Sequence, residues 1–269
     1  MLLQVQGHAA YAYTGGKTFD PALPVVMFIH DAQHDHSVWC LQSRYLAHHG
    51  HAVLAIDLPG HGRSAGPPLA SVEAMAGWVV AVQDAAGVRS AALVGHSMGS
   101  LIALEVAGAQ PARVSRLALV GTAFPMKVAD TLLTATRDDE PLAQDMVNIW
   151  THSTYAAKPS SPGPGFWING GNLRLMQRMA PGVMHTDFNA CNEYAQGAGR
   201  AALVRCPTLF VLGDRDAMTP PKSARALQAA IKGQRTVVVR ASGHALMAEQ
   251  PDAVLEALVG FLREAAPAY

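Results

Sequence analysis

Ser97 is flanked at two residues' distance by Gly95 and Gly99, and in this 269-residue chain it has the surroundings best suited to covalent chemistry. The pentapeptide Gly95-His96-Ser97-Met98-Gly99 follows the apolar run 91–94 and precedes the apolar, helix-forming stretch 101–107. A strand that enters a helix through so tight a turn leaves room only for residues without Cβ at positions 95 and 99. The same turn pushes the Ser97 hydroxyl out of the sheet as an exposed nucleophile. A serine hydroxyl is a poor nucleophile until a base removes its proton, and twelve histidines are available to do so.

Other groupings invite chemistry with less force. His34-Asp35-His36 offers two imidazoles and a carboxylate, but two histidines at i and i+2 on a loop, with no further ligands at a recognisable spacing, are a weak metal signal. A place at the mouth of a pocket or a local hydrogen bond is the plainer expectation. Arg174 and Arg178, four apart, would share one helical face and could grip a carboxylate, although a solvated face is the simpler reading. Cys40, Cys191 and Cys206 are odd in number and lack CxxC spacing, which reads as reduced thiols. No metal and no organic cofactor is expected.

Positioning Ser97 takes a sheet. Runs at 25–29, 51–57, 91–94, 114–120, 207–212 and 236–240 read as strands, and the solid apolar run 25–29 is of the kind buried on both faces of a parallel sheet. Helices are expected at 37–49 with Ser37 as N-cap, at 71–86 capped by Ser71, and at 251–264. Alternation over 4–13, broken at Gly7, reads as an opening antiparallel hairpin. Strand and helix alternating through right-handed crossovers give an α/β fold with helices on both faces of the sheet. Loops at the carboxyl ends of such strands face one crevice, so the 30–39 loop should look onto Ser97. Between about 124 and 205 the pattern breaks into helical stretches at 126–137, 142–150, 173–179 and 186–195 around a Pro- and Gly-rich run, 158–171. That is too long for an ordinary loop.

Three loops and the elbow together resemble the α/β-hydrolase fold family. Asp57-Leu58-Pro59-Gly60-His61-Gly62-Arg63-Ser64 matches its Asp-x-Pro-Gly-x-Gly-x-Ser loop. His30-Asp31-Ala32 is similar to its His-Gly-x loop, with Asp31 departing at the glycine. Gly213-Asp214-Arg215-Asp216-Ala217-Met218-Thr219-Pro220 matches Gly-x-x-Asp-x-x-x-Pro. The resemblance implies a mostly parallel, doubly wound sheet, formed by 1–123 and 206–269, with a helical cap inserted at 124–205. It implies Ser97 as nucleophile and Asp216 as triad acid, with Asp214 two residues away keeping a lesser claim. His244 is then the one histidine that follows Asp216, as the order Ser, Asp, His requires. The backbone N–H groups of Ala32 and Met98 would form the oxyanion hole. His61 and Arg63 belong to the scaffold on this reading.

The cap segment is rich in Trp150, Tyr155, Phe166, Trp167, Phe188 and Tyr194, with Met126, Met146, Met176, Met179 and Met184. Some must form the cap's own core and some must face substrate. A pocket of His30, Phe124, Trp150, Trp167 and Met184 is expected. Half the residues are hydrophobic, 15% are charged and the net charge is zero, which points to a small-molecule partner and away from nucleic acid or an anionic membrane. No apolar run approaches the ~20 residues of a membrane span, and Met1-Leu2-Leu3-Gln4 lacks a signal peptide's basic start, so a cytoplasmic protein is expected. The activity implied is hydrolysis of carboxylic esters of small to medium apolar or aromatic compounds through an acyl-enzyme. Carbon-carbon bond hydrolysis, lactonase, thioesterase and cofactor-free perhydrolase chemistry share the triad, and a slow-turnover ligand receptor would retain it as well. A carboxylate at position 97 would have implied a dehalogenase or epoxide hydrolase instead.

Overall fold

The computed structural model of the chain describes residues 1–154 and 167–264; Tyr155, Phe166 and most of the 158–171 run lie outside them. Eight strands form one sheet in the order β1-β2-β4-β3-β5-β6-β7-β8. They are β1 (Leu2–Val5), β2 (His8–Tyr13), β3 (Val25–Ile29), β4 (Ala52–Ile56), β5 (Ala91–His96), β6 (Val114–Val120), β7 (Thr208–Gly213) and β8 (Arg235–Val239). The β1–β2 and β2–β4 pairs are antiparallel and all others parallel. Gln6 and Gly7, both at positive φ (50° and 83°), make the two-residue turn that matches the twist of a hairpin.

The strands β3, β4, β5 and β7 are buried along their whole length because helices cover both faces. On one face α2 (Val72–Ala85) and α3 (Met98–Ala109) pack against Val25, Met27 and Ile29; on the other, α1 (Cys40–Ala47) and the C-terminal α11 (Pro251–Arg263) pack against Val26 and Phe28. Alternate residues of a strand point to opposite faces, so β3 alone feeds both cores. Ser71 caps α2 by accepting from Ala74 N. The helix expected from Ser37 begins differently: a 3₁₀ turn, His36–Trp39, precedes α1, and Asp35 is its cap, accepting from Ser37 N.

Among the described residues, five helices stand between β6 and β7: α4 (Asp130–Asp138), α5 (Glu140–Thr151), α6 (Ile168–Met176), α7 (Val183–Glu193) and α8 (Gly197–Leu203). They are the inserted helical cap. Two differ from expectation. The helix expected at 173–179 starts at Ile168 and ends at Met176, short of Pro181, whose ring disfavours helical backbone in the residue before it. The unexpected α8 docks on α3, where Gly197 admits the Phe124 ring that any Cβ would strike. Leu132, Val147, Met176, Met184 and Phe188 form the cap's own core. After β7 come a 3₁₀ turn (Pro221–Ala224) and α9 (Arg225–Ala230), and α10 (Leu246–Glu249) precedes α11. Among the described residues no helix is long and apolar enough to cross a membrane.

Candidate active site

The turn from β5 into α3 holds Ser97 at φ 50° and ψ −117°, a strained geometry for a residue with a side chain. Ser97 N donates to Val120 O at 2.9 Å, which ties the apex to the neighbouring strand. A Cβ on Gly95 would overlap Gly99 O, and one on Gly99 would overlap the carbonyls of Ile29 and His30, so neither position accepts another residue. Met98 is the first residue of α3; its side chain is buried in the core, while its N–H, like every N–H of a helix's first turn, lacks a partner within the helix. That orphan donor lies at the positive end of the helix dipole.

His244 sits on the loop beyond β8, its backbone N donating to Thr151 O at 2.6 Å. Its Nδ1 lies 2.8 Å from Asp216 Oδ2. Asp214, the lesser candidate, instead faces Ser242 N at 3.4 Å. Asp216 Oδ1 accepts from Met218 N (2.9 Å) and Thr219 N (2.7 Å), and Oδ2 also accepts from Thr219 Oγ1 at 2.7 Å. Burial alone would raise the Asp216 carboxyl, but His244 and these donors override it and hold it at about 2. Burial likewise works against a charged His244, and the Asp216 carboxylate wins, lifting it above 6.5. With Nδ1 donating to Asp216, Nε2 is left as the acceptor a nucleophile needs.

His30 Nδ1 donates to Asp31 O (2.7 Å) and its Nε2 accepts from Leu58 N (3.1 Å), so the ring is neutral. Burial, with His61 beside it, holds it near 4. The carbonyl it grips belongs to the peptide whose N–H is that of Ala32. Asp31, at the family's glycine position, is not the residue at positive φ in this loop; Gln33 is, at 56°.

Ser97, His244, Thr219, Asp31 and Ala32 line one cavity of ≈ 190 Å³, walled on the cap side by Leu132, Val147, Trp150 and Phe188. Trp150 is the one member of the expected pocket that lines it. His30 and Met184 are fully buried, the first under its two hydrogen bonds and the second in the cap core. Phe124 packs on Gly197 and Tyr194 beside the main core. Trp167 is 75% exposed. Thr219 and Asp31 were not singled out for the pocket, although an Asp followed three residues later by Thr is a common turn in which the carboxylate caps the chain.

The remaining candidates scatter. His34 pairs with Asp31 at 3.0 Å, Asp35 caps the 3₁₀ turn, and His36 N and Nδ1 both contact Asp57 Oδ1 at 2.7 Å. Among the described residues Asp35, His36 and Asp57 alone bring three metal-binding donors within 4.8 Å, and their oxygens already serve these turns and Arg63 N. Arg178 falls beyond the end of α6 and, 61% exposed, approaches Asp35 at 3.9 Å; Arg174 bonds Gln177 at the surface. Neither borders the cavity.

The profile of the α/β-hydrolase fold family matches residues 24–251. A protein of Azorhizobium caulinodans named as a carbamate hydrolase, RutD, is 32% identical over 224 residues, covering 80% of this chain and 82% of its own. The Klebsiella pneumoniae protein of the same name is 29% identical over 84% of this chain and 86% of its own. Among solved structures, the enol-lactonase of Burkholderia xenovorans superposes with a TM-score of 0.86 over 98% of this chain and 100% of its own, at 23% identity. Sheet order, elbow and sequence agree, and the chain belongs to the α/β-hydrolase fold family.

Proposed function

We propose that the protein hydrolyses small carboxylic esters by acyl transfer, with Ser97 as nucleophile, His244 as base and Asp216 as its orienting acid. The observation that carries this reading is the 2.8 Å contact of Asp216 Oδ2 with His244 Nδ1 in a cavity that His244 shares with Ser97. Ser97 Oγ attacks the carbonyl carbon as its proton passes to His244 Nε2, and Asp216 stabilises the imidazolium. The oxyanion is received by the N–H groups of Ala32 and Met98, a donor of this kind being worth ~3 kcal/mol. His244 gives its proton to the departing alkoxide, and water repeats the sequence on the acyl-enzyme.

Cavity size narrows the substrate. At ≈ 190 Å³ it falls below the ~300 Å³ at which drug-sized ligand pockets begin, and its walls toward the cap are apolar. Short acyl groups fit that space best. The cap, 124–205, supplies those walls and so sets the chain length accepted. A second reading, hydrolysis of a carbamate at the same serine, draws on the two RutD relatives. A carbamate ester's carbonyl is attacked in the same way, its alkoxide leaving with the His244 proton to give a carbamoyl-enzyme, which water releases as a carbamic acid that loses carbon dioxide to give the amine.

A panel of p-nitrophenyl esters from acetate to long acyl chains, with a carbamate and a lactone beside it, tests both readings on wild type and Ser97→Ala. Multiple turnovers that require Ser97 and are fastest for short acyl esters are expected. A single burst that stops would sink the esterase reading and favour a receptor.

A further inference from the structure

The acid–histidine contact of Asp216 and His244 has a counterpart at the same cavity, which Asp31 and His244 both line. Asp31 Oδ2 lies 3.0 Å from His34 Nδ1, and Asp31 Oδ1 lies 3.4 Å from Nδ1 of His96, the residue before the nucleophile. His34 Nδ1 is also 2.9 Å from Ala32 O, and its Nε2 is 2.8 Å from Asn172 Oδ1 on α6. Asn172 Nδ2 in turn donates to Asn148 Oδ1 on α5 at 3.0 Å. Both ring nitrogens of His34 therefore face acceptors. An imidazole satisfies two acceptors only when both nitrogens carry protons, that is, as the imidazolium.

A carboxylate beside an oxyanion hole is a problem in its own right. Asp31 lines the cavity with Ala32 and Ser97, and a bare negative charge there opposes the negative charge that develops on the substrate oxygen. An imidazolium at hydrogen-bond distance cancels it. The same ring bonds the carbonyl of Ala32 and reaches across to the cap, so one proton inventory holds the loop's charge, its shape and its tie to α6.

We propose that Asp31 and His34 act as a positioning ion pair for the oxyanion loop, with ionised Asp31 and doubly protonated His34 holding residues 30–34 and the cap helix α6 in the arrangement Ser97 chemistry uses. This rests on the acyl-transfer reading of Ser97. Neither residue takes part in bond making; both act through the Ala32 backbone and the field at the oxyanion.

The other titratable groups that face this pair are His30 on the same loop, His96 from the end of β5, His244 from the loop after β8, His152 at the end of α5 and Cys191 on α7. Burial disfavours the charged form of His34, and the Asp31 carboxylate with the two acceptors outweighs it, lifting the ring to about 9. Burial would raise Asp31, and His34 with His96 pulls it well below 3.8 instead. Burial keeps His152 below 6.5 and pushes the Cys191 thiol up, so neither competes for charge near neutrality. The pair is thus intact from mildly acid pH up to the His34 value and is lost as pH rises through about 9.

The test is a pH profile of kcat for a slow alkyl ester, pH 6–10.5, on wild type, His34→Gln, Asp31→Asn and the double variant. Ser97 is counted in each sample by stoichiometric reaction with a p-nitrophenyl phosphonate, and ¹⁵N NMR of the histidine rings is recorded on the wild type. His34 is expected to show two protonated nitrogens at pH 7, and wild-type kcat to fall above pH about 9. His34→Gln and Asp31→Asn are expected to lower kcat at pH 7 by about 10- to 100-fold, less than the roughly 100- to 1000-fold cost of an oxyanion donor removed outright because the donor stays and only its setting changes, with KM within about twofold, and to lose the alkaline fall. A neutral His34 at pH 7, or an alkaline fall unchanged in all variants, overturns the inference while leaving the Ser97 reading intact. Full activity in a Ser97→Ala control, or an active wild type that takes up no phosphonate, overturns that reading and the inference with it. Should a variant not fold, the wild-type ring spectrum decides.

Discussion

His61 Nε2 lies 2.8 Å from Asp187 Oδ2, joining the loop after β4 to cap helix α7 with both side chains buried. The same carboxylate oxygen accepts from Gln33 N at 2.8 Å, so one cap residue fastens two core loops. His61, expected from the sequence to belong to the scaffold, is not among the residues that line the Ser97 cavity, and its partner is the cap. Breaking a buried pair from one side leaves an uncompensated charge, and Asp187→Ala is expected to cost about 3–5 kcal/mol. Burial opposes the charged His61, but Asp187 raises it above 6.5. The pair's stabilisation is therefore full below pH 6.5 and declines as pH rises through the raised value. Urea unfolding of wild type and Asp187→Ala at several pH values checks this: the difference between them should shrink on the alkaline side.

The carboxylate of Asp216 is oriented as much by Thr219 as by His244. Thr219 Oγ1 donates to Asp216 Oδ2 at 2.7 Å and stands 3.1 Å from His244 Nδ1. Asp216→Asn presents the wrong donor pattern to His244 and is expected to lower kcat by about 10⁴. Thr219→Val removes one neutral donor and keeps the shape, so a loss of between about 2- and 10-fold is expected. Single-turnover acylation rates measured on both variants test the ranking; equal losses would place Thr219 in the chemistry itself.

Activity should fall on the acid side at a higher pH than free imidazole would give. On the proposed acyl-transfer mechanism His244 can accept the Ser97 proton only when neutral, and Asp216 raises it above 6.5 against the opposing effect of burial. In kcat/KM, which reports the free enzyme, the acid limb should therefore have its midpoint above pH 6.5. Replacing Asp216 by Asn should move that midpoint down, since burial and the His34 charge would then be opposed by Asp31 alone. A midpoint unmoved in Asp216→Asn would mean that another group controls the limb.

The sheet and the elbow were legible because their residue types have no substitute. Only glycine fits at 95 and 99, and only apolar side chains fill β3 and β4. The pocket was less legible. Met184 and Trp150 are both large cap residues that pack with the same cluster, yet one fills the cap's core and the other lines the cavity. That difference depends on how α5 and α7 rotate against the sheet, which hydrophobicity does not encode. His34-Asp35-His36 shows the same limit at closer range. The three neighbours turn to Asp31 and Asn172, to Ser37, and to Asp57, because a positive φ at Gln33 and a 3₁₀ turn at His36 fan them apart. α8 was missed because it is short and alanine-rich, and its contact with α3 holds it in place.

The cavity makes opposite demands of two tryptophans. Trp150 lines it together with Ser97, so on the acyl-transfer reading its indole would bound the space for an acyl chain, whereas Trp167 is 75% exposed at the start of α6. Trp150→Ala enlarges the pocket toward α5, and the optimum should move to longer acyl chains. Short esters, which lose a wall, should lose kcat/KM by about 10-fold or more, since even one methylene's worth of pocket contact is worth ~1–3 kcal/mol. Trp167→Ala, away from the cavity, should leave the acyl-length profile unchanged and kcat/KM within about twofold. Measuring kcat/KM from acetate to decanoate on both variants separates the two. If Trp167→Ala moved the optimum and Trp150→Ala did not, the acyl chain would run out beneath α6 and not along α5.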